Sequence, residues 1–205
     1  LRTPVEGAED SAAGGAGEIR NAGVRAQDVV CGIAASGTTP FVWGALEEAS
    51  VRSATTVFIT CNPDWRELPR AGRRAEMVDH VILIPVGPEI IAGSSRMKAG
   101  TATKLVLNTI STASMIRWGK VYDNLMVDLT PLNAKLRGRA LALVSNLAAV
   151  SDERAAELLL AAGGDVKTAV LIERTGVGAK DARAILERHG GVLRRALEAE
   201  SGGTG

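Results

Sequence analysis

Three short, unbroken apolar runs constrain this chain more than any other feature: VVCGIAA at 29–35, TTVFIT at 55–60 and HVILIPV at 80–86. None alternates apolar with polar residues, so each reads as a strand buried on both faces. The helical stretch FVWGALEEAS (41–50) separates the first two, and a helical or irregular segment separates the second from the third. Such a pattern predicts a parallel sheet flanked by helices. Right-handed crossovers place all three strand C-termini along one edge, and open α/β sheets bind ligands at that edge. The loops SGTTP, CNP and GPEIIAGSS, which follow the three runs, are therefore where a site is expected.

Residues 1–27 are rich in Gly, Ala and charge, with GEIRNAGVRAQD reading as a helix end and turn before the first strand. Beyond the third strand, RMKAGTATKLVLNTISTASMIRW predicts a long helix over about 96–118. Its apolar residues are too many for one narrow stripe, which suits a central or interface helix. A turn-rich connector with a short strand-like LMVDL occupies 119–133, and helical segments follow near 134–149, 151–162, 165–174, 178–189 and 191–199. Gly163–Gly164 and Gly190–Gly191 are helix stops, and SGGTG is a frayed tail. The expected organisation is α/β: a sheet domain over 1–133, then a small all-α domain over 134–205. The chain opens on Leu1 and reads as a sequence entered midway.

Composition narrows the partners. Formal net charge is +1 and aromatics are 3%, which argues against nucleic acid and anionic membrane as the principal ligand. No apolar stretch approaches the roughly 20 residues of a membrane-spanning helix, and LRTPVEGAED has no apolar signal core. If the first two runs are neighbours in parallel, Cys31 and Cys61 are offset by about four residues, roughly 13 Å at strand rise. That is beyond disulfide reach, and two reduced thiols suit the cytoplasm.

Ala35-Ser36-Gly37-Thr38-Thr39-Pro40 lies between a strand and a helix. Small residues let the backbone approach an anion, hydroxyls add donors, and the helix N-terminus supplies free N–H groups. A phosphate monoester fits; an ordinary strand-to-helix turn capped by Ser36 fits the pattern equally well. The loop has neither the Lys of a Walker A motif nor the dinucleotide GxGxxG. Gly93-Ser94-Ser95-Arg96-Met97-Lys98 opens the long helix with hydroxyls and cations; such groups suit a polyhydroxylated anion, and still more readily a capped, solvated helix start. Glu6, Glu9 and Asp10 can form an acid/base site if one is desolvated, although such clusters are more often solvated loops. His80 and His189 lie far apart, and no spacing of Cys, His, Asp and Glu resembles a metal site. GIAASG is not the GxSxG elbow, so hydrolysis through a serine nucleophile is disfavoured.

EGAED at 6–10, GIAASGTTP at 32–40, CNP at 61–63, GSSRMKAGTATKLVLN at 93–108 and GKVYDNLMVD at 119–128 together resemble the N-acetylmuramic acid 6-phosphate etherase family. GGDVKTAVLI (163–172) and HGGVLRRAL (189–197) extend the likeness into the helical tail. The resemblance implies a sugar isomerase (SIS) fold, incomplete at its N-terminus, followed by a small helical domain. It implies a homodimer and no metal or redox cofactor. The implied reaction is cleavage of the C3 D-lactyl ether of N-acetylmuramic acid 6-phosphate, giving N-acetylglucosamine 6-phosphate and D-lactate during cell-wall amino sugar recycling. Glu9 matches one of the family's two functional glutamates and is carried over as the acid/base residue. Ser36, Gly37 and Thr39 match the loop beneath the phosphate, with Thr38 standing where the family usually has Arg. Ser94, Ser95 and Lys98 match the block that lines the sugar. The family's N-terminal region, with its first glycine-rich loop and other glutamate, has no counterpart here, so these residues alone are expected to be inactive. The glucokinase regulatory proteins, which share the architecture without the lyase activity, supply the non-enzyme alternative, and an aldose–ketose isomerase of the same fold is a third reading.

Overall fold

The computed structural model describes residues 7–201. Glu6 of the acidic cluster and the last four residues of SGGTG lie outside them. The chain divides into two compact units, Leu1–Leu107 and Asn108–Gly205.

The first unit holds β1 (Val29–Ile33), β2 (Thr55–Thr60) and β3 (His80–Leu83) in a sheet of order β1-β2-β3. Both pairings are parallel, with Cys31 opposite Val57 and Ile59 opposite Ile82. β-branched residues favour this pleated, half-buried surface. The expected helical crossover between β1 and β2 is α2 (Pro40–Val51), which starts with proline in its first turn, where a missing N–H costs nothing. A 3₁₀ turn (Trp65–Glu67) and the short α3 (Ala71–Glu76) bridge β2 and β3.

One face of the sheet carries the core. Trp43 and Leu46 of α2, Phe58 of β2 and Trp65 are buried together, with Val30 and Val81 packed against them. The Trp43 and Phe58 rings lie 4.4 Å apart, and Trp65 meets Phe58 edge-on at 5.4 Å. The other face departs from the expectation of burial on both sides, because Val29, Cys31 and Ile33 of β1 are exposed. The physical reason lies in α1 (Ala12–Asn21), which packs against α2 rather than over β1.

The α1–α2 approach is close because it is made through glycine. Gly15 lies against the Phe41 carbonyl and Gly44 against the Ala12 carbonyl, so tightly that neither position has room for a Cβ. A 3₁₀ turn, Ala8–Asp10, precedes α1 and also packs against α2.

α4 (Lys98–Arg117) runs across the boundary between the units, with Ala99 its one buried residue. Leu105 and Ile116 are more than half exposed. The second unit contains a hairpin of β4 (Val121–Tyr122) and β5 (Leu125–Met126) and then five helices: α5 (Ala134–Ala148), α6 (Asp152–Ala161), α7 (Val166–Thr175), α8 (Ala179–Arg188) and α9 (Leu193–Ser201). Asn133, Ser151 and Asp165 cap α5, α6 and α7 through their side chains. Val144, Leu158, Val170, Leu171, Ile185 and Leu193 share one buried core. Among the described residues, no helix is long and apolar enough to cross a membrane.

Candidate functional site

Because the three strands are parallel, their C-terminal loops leave from one edge. There they enclose a cleft of about 500 Å³ lined by Ala35, Ser36 and Thr39 after β1, Cys61 after β2, and Pro88, Glu89, Ser94 and Ser95 after β3. Ala99 on the first turn of α4 completes the wall. The volume lies within the range of small-molecule sites. Four of the residues singled out in the sequence, Ser36, Thr39, Ser94 and Ser95, thus come together.

The loop after β1 is held from below. The Asn62 side-chain amide donates to the Ser36 carbonyl at 2.9 Å, the buried Trp43 indole N–H donates to the Gly37 carbonyl at 2.8 Å, and the Thr60 hydroxyl donates to the Ala35 carbonyl at 3.2 Å. Gly37 has φ +81° and lies 3.3 Å from Trp65 at the position a Cβ would take. Only glycine takes that left-handed, crowded position without strain. The Ser36 and Thr38 hydroxyls are hydrogen bonded at 2.8 Å, and the Thr38 N–H donates to the Ser36 hydroxyl at 3.3 Å.

Ser36 is not the cap of α2: that position is Thr39, whose side chain makes no cap hydrogen bond. Thr39, the residue that opens α2, lines the cleft with a side chain that makes no cap hydrogen bond, and a helix N-terminus favours an anion.

The opposite wall is built differently. Glu89, which the sequence reading did not single out, reaches back to the start of α4 and accepts the N–H groups of Lys98 at 3.1 Å and Ala99 at 3.2 Å. The Lys98 N–H first, then that of Ala99, the Lys98 charge and the N–H of Met97, hold its carboxyl below the ordinary glutamate value. The N-terminus of α4 is thus already occupied by an internal carboxylate. A residue nine positions ahead of a helix is invisible as a cap in the sequence, since capping patterns are local. Lys98 is also committed, its ammonium donating to the Pro88 carbonyl at 2.8 Å. Ser94 accepts the Arg96 N–H at 3.4 Å.

Gly37, Thr38 and Lys98 shape or brace the walls without lining the cleft. Glu9 does not line it either; it is exposed in the 3₁₀ turn that packs against α2, the helix whose N-terminus borders the cleft. Cys31 and Cys61 are both free thiols; Cys31 is exposed and Cys61 part-buried, and partial desolvation raises the pKa of each. The register puts Cys61 four residues beyond Val57, the partner of Cys31, as the offset read from the sequence requires. Among the described residues, no group of three or more His, Cys, Asp or Glu is placed to hold a metal ion.

No family model matches the chain. Curated relatives do: an N-acetylmuramic acid 6-phosphate etherase of Synechocystis sp. is 47% identical over 194 residues, covering 95% of this chain and 61% of the relative. A protein of the same name from Escherichia coli is 46% identical over 201 residues, covering 98% of this chain and 65% of the relative. The resemblance carried by the separate motifs therefore extends over nearly the whole sequence, and the chain is homologous to these etherases. It spans less than two thirds of their length.

Proposed function

We propose that this homologue of the N-acetylmuramic acid 6-phosphate etherases forms the sugar-phosphate cleft of a carbon–oxygen lyase. The supporting observation is the convergence of Ser36 and Thr39 with Ser94 and Ser95 in one cleft at the C-terminal edge of a parallel sheet. The phosphate sits at Ser36–Thr39, at the N-terminus of α2, and not at α4, where Glu89 fills the equivalent position. The sugar body then extends toward Ser94 and Ser95. Gly37 and Thr38 keep the phosphate loop in shape, and Lys98 holds the Pro88 wall.

The reaction is elimination followed by hydration. In the open-chain aldehyde the carbonyl acidifies the C2 proton, and Glu9 exchanges that proton as general acid/base. D-lactate leaves from C3 with its ether oxygen protonated. Water then adds across C2 and C3, leaving a hydroxyl at C3 and returning the proton to C2. The products are N-acetylglucosamine 6-phosphate and D-lactate, and no redox change occurs. The second acid/base group belongs to the segment by which the relatives are longer.

In this reading the sheet and its crossovers belong to an SIS fold, with the sugar-phosphate domain running to residue 133 and the helical domain from 134. The protein works in the cytoplasm as a homodimer, with the exposed apolar side chains of α4 as the candidate contact. The test joins these residues to the additional segment of a relative and supplies N-acetylmuramic acid 6-phosphate. D-lactate release, abolished by Glu9→Gln, is expected; a folded protein that releases none removes the proposal.

A further inference from the structure

The first unit contains a second cavity, of about 520 Å³, that shares no lining residue with the cleft. It lies between α2 and α3 near the start of α1, and its lining includes Pro40, Trp43, Glu47, Arg70, Arg73 and Arg74. Three guanidinium groups therefore face one carboxylate. Glu47 is taken by Arg73, at 2.6 Å. Arg74 lies 4.7 Å from the centre of the Trp43 ring, half-buried against it. Among the described residues, neither Arg70 nor Arg74 has an ion-pair partner.

Arg70 is exposed and Arg74 half-buried, so the two like charges share a partly desolvated wall that a bound anion would stabilise. Burial first, and then the Arg70 charge, lowers the pKa of Arg74, consistent with that arrangement. A phosphate monoester carries close to two negative charges at neutral pH. It would balance Arg70 and Arg74 together, and the planar guanidinium fork suits its oxygens. Arg70 adopts a left-handed conformation, φ +67°, which is uncommon for a residue other than glycine and which Asn tolerates better.

We propose that this cavity is a second anion site, which takes a small phosphate monoester and is separate from the sugar-phosphate cleft. The wall it presents to the ligand, Trp43, is also the side chain whose N–H holds the Gly37 carbonyl of the cleft loop.

The test titrates the 205-residue chain with inorganic phosphate at constant ionic strength, following the side-chain Nε–H resonances of Arg70 and Arg74. A saturable shift of both is expected. Arg70→Asn relaxes its own backbone and leaves the Trp43–Arg74 contact intact, so it should fold normally while raising the midpoint about tenfold, the loss of one charge-assisted hydrogen bond. Ser36→Ala with Thr39→Ala should leave that midpoint unchanged. Shifts reproduced by chloride, no saturation in the folded chain, or an unchanged midpoint in Arg70→Asn would each overturn the proposal. A midpoint that moves with the Ser36 and Thr39 changes instead would assign the phosphate to the cleft and overturn it too.

Discussion

Replacing Gly44 by alanine adds a Cβ that would stand 2.0 Å from the carbonyl oxygen of Ala12. Ordinary contact begins near 3.4 Å, so α1 and α2 must separate by about 1.4 Å locally. The obstructing atoms are backbone, and no rotamer change relieves them. Overpacking costs about 1–3 kcal/mol, and a backbone clash belongs at the upper end. Alanine recovers about 1 kcal/mol of helix propensity over glycine, leaving a net loss of about 2 kcal/mol. Gly17, on the same α1, is the internal control: the nearest atom to an added Cβ is the Arg20 Nη2 at 3.9 Å. Gly17→Ala should therefore stabilise by about 0.5–1 kcal/mol. Urea denaturation followed by the fluorescence of Trp43 and Trp65, both in the first unit, reads these differences. Gly15→Ala, which meets the Phe41 carbonyl at 1.9 Å, should behave like Gly44→Ala, and the double variant should lose less than the sum because one separation relieves both contacts. If Gly44→Ala proved as stable as the unaltered protein, the glycine-mediated approach of the two helices would be wrong.

Other expected outcomes rest on different contacts. Asp79 accepts the Thr56 N–H at 2.8 Å and the Thr56 hydroxyl at 2.9 Å, which hold its carboxyl below the ordinary aspartate value. Its contribution is present above the unfolded value of about 3.9 and is lost as pH falls through the lower folded value. Asp79→Asn should flatten the acid limb of the stability curve, and an unchanged limb would contradict the contact. Removing the α4 cap by Glu89→Ala should abolish hydrogen-exchange protection at the amides of Lys98 and Ala99 while leaving α2 unaffected. In the second unit, Asp165→Ala removes the 2.7 Å cap on the Thr168 N–H and should cost about 0.5–2 kcal/mol in chemical denaturation. Leu171→Ala, at a fully buried position, should cost about 2–5 kcal/mol in the same measurement.

The elements most legible in the sequence are those whose signal is local. The β-branched run 55–60 is β2 residue for residue, and the helices of the second unit lie within two residues of the expected bounds, with the glycine stops just beyond α6 and α8. α1 is different. AAGGAGEIRN carries three glycines in ten residues, which lower its helix propensity; Gly15 serves the contact with α2, a tertiary requirement that propensity cannot express. The tight hairpin of β4 and β5 shows in the sequence only as one strand-like stretch, since two-residue strands have no period to detect. In the cleft, parallel direction and right-handed crossovers alone predict that the three loops share one edge. Glu89 escaped because its partners lie nine and ten residues away, and the Arg70–Arg74 cavity because a basic run reads as a solvated face until Trp43 is placed beneath it.

A crystal structure of the protein, extended by the additional segment of a relative and soaked with N-acetylglucosamine 6-phosphate, bears most directly on all of this. The phosphate oxygens should lie within about 2.7–3.2 Å of donors at Ser36, Thr39 and the first turn of α2, with the Glu9 carboxylate turned toward the sugar's C2. A sugar phosphate bound away from that loop, or a Glu9 carboxylate facing solvent with the ligand in place, would contradict the assignment.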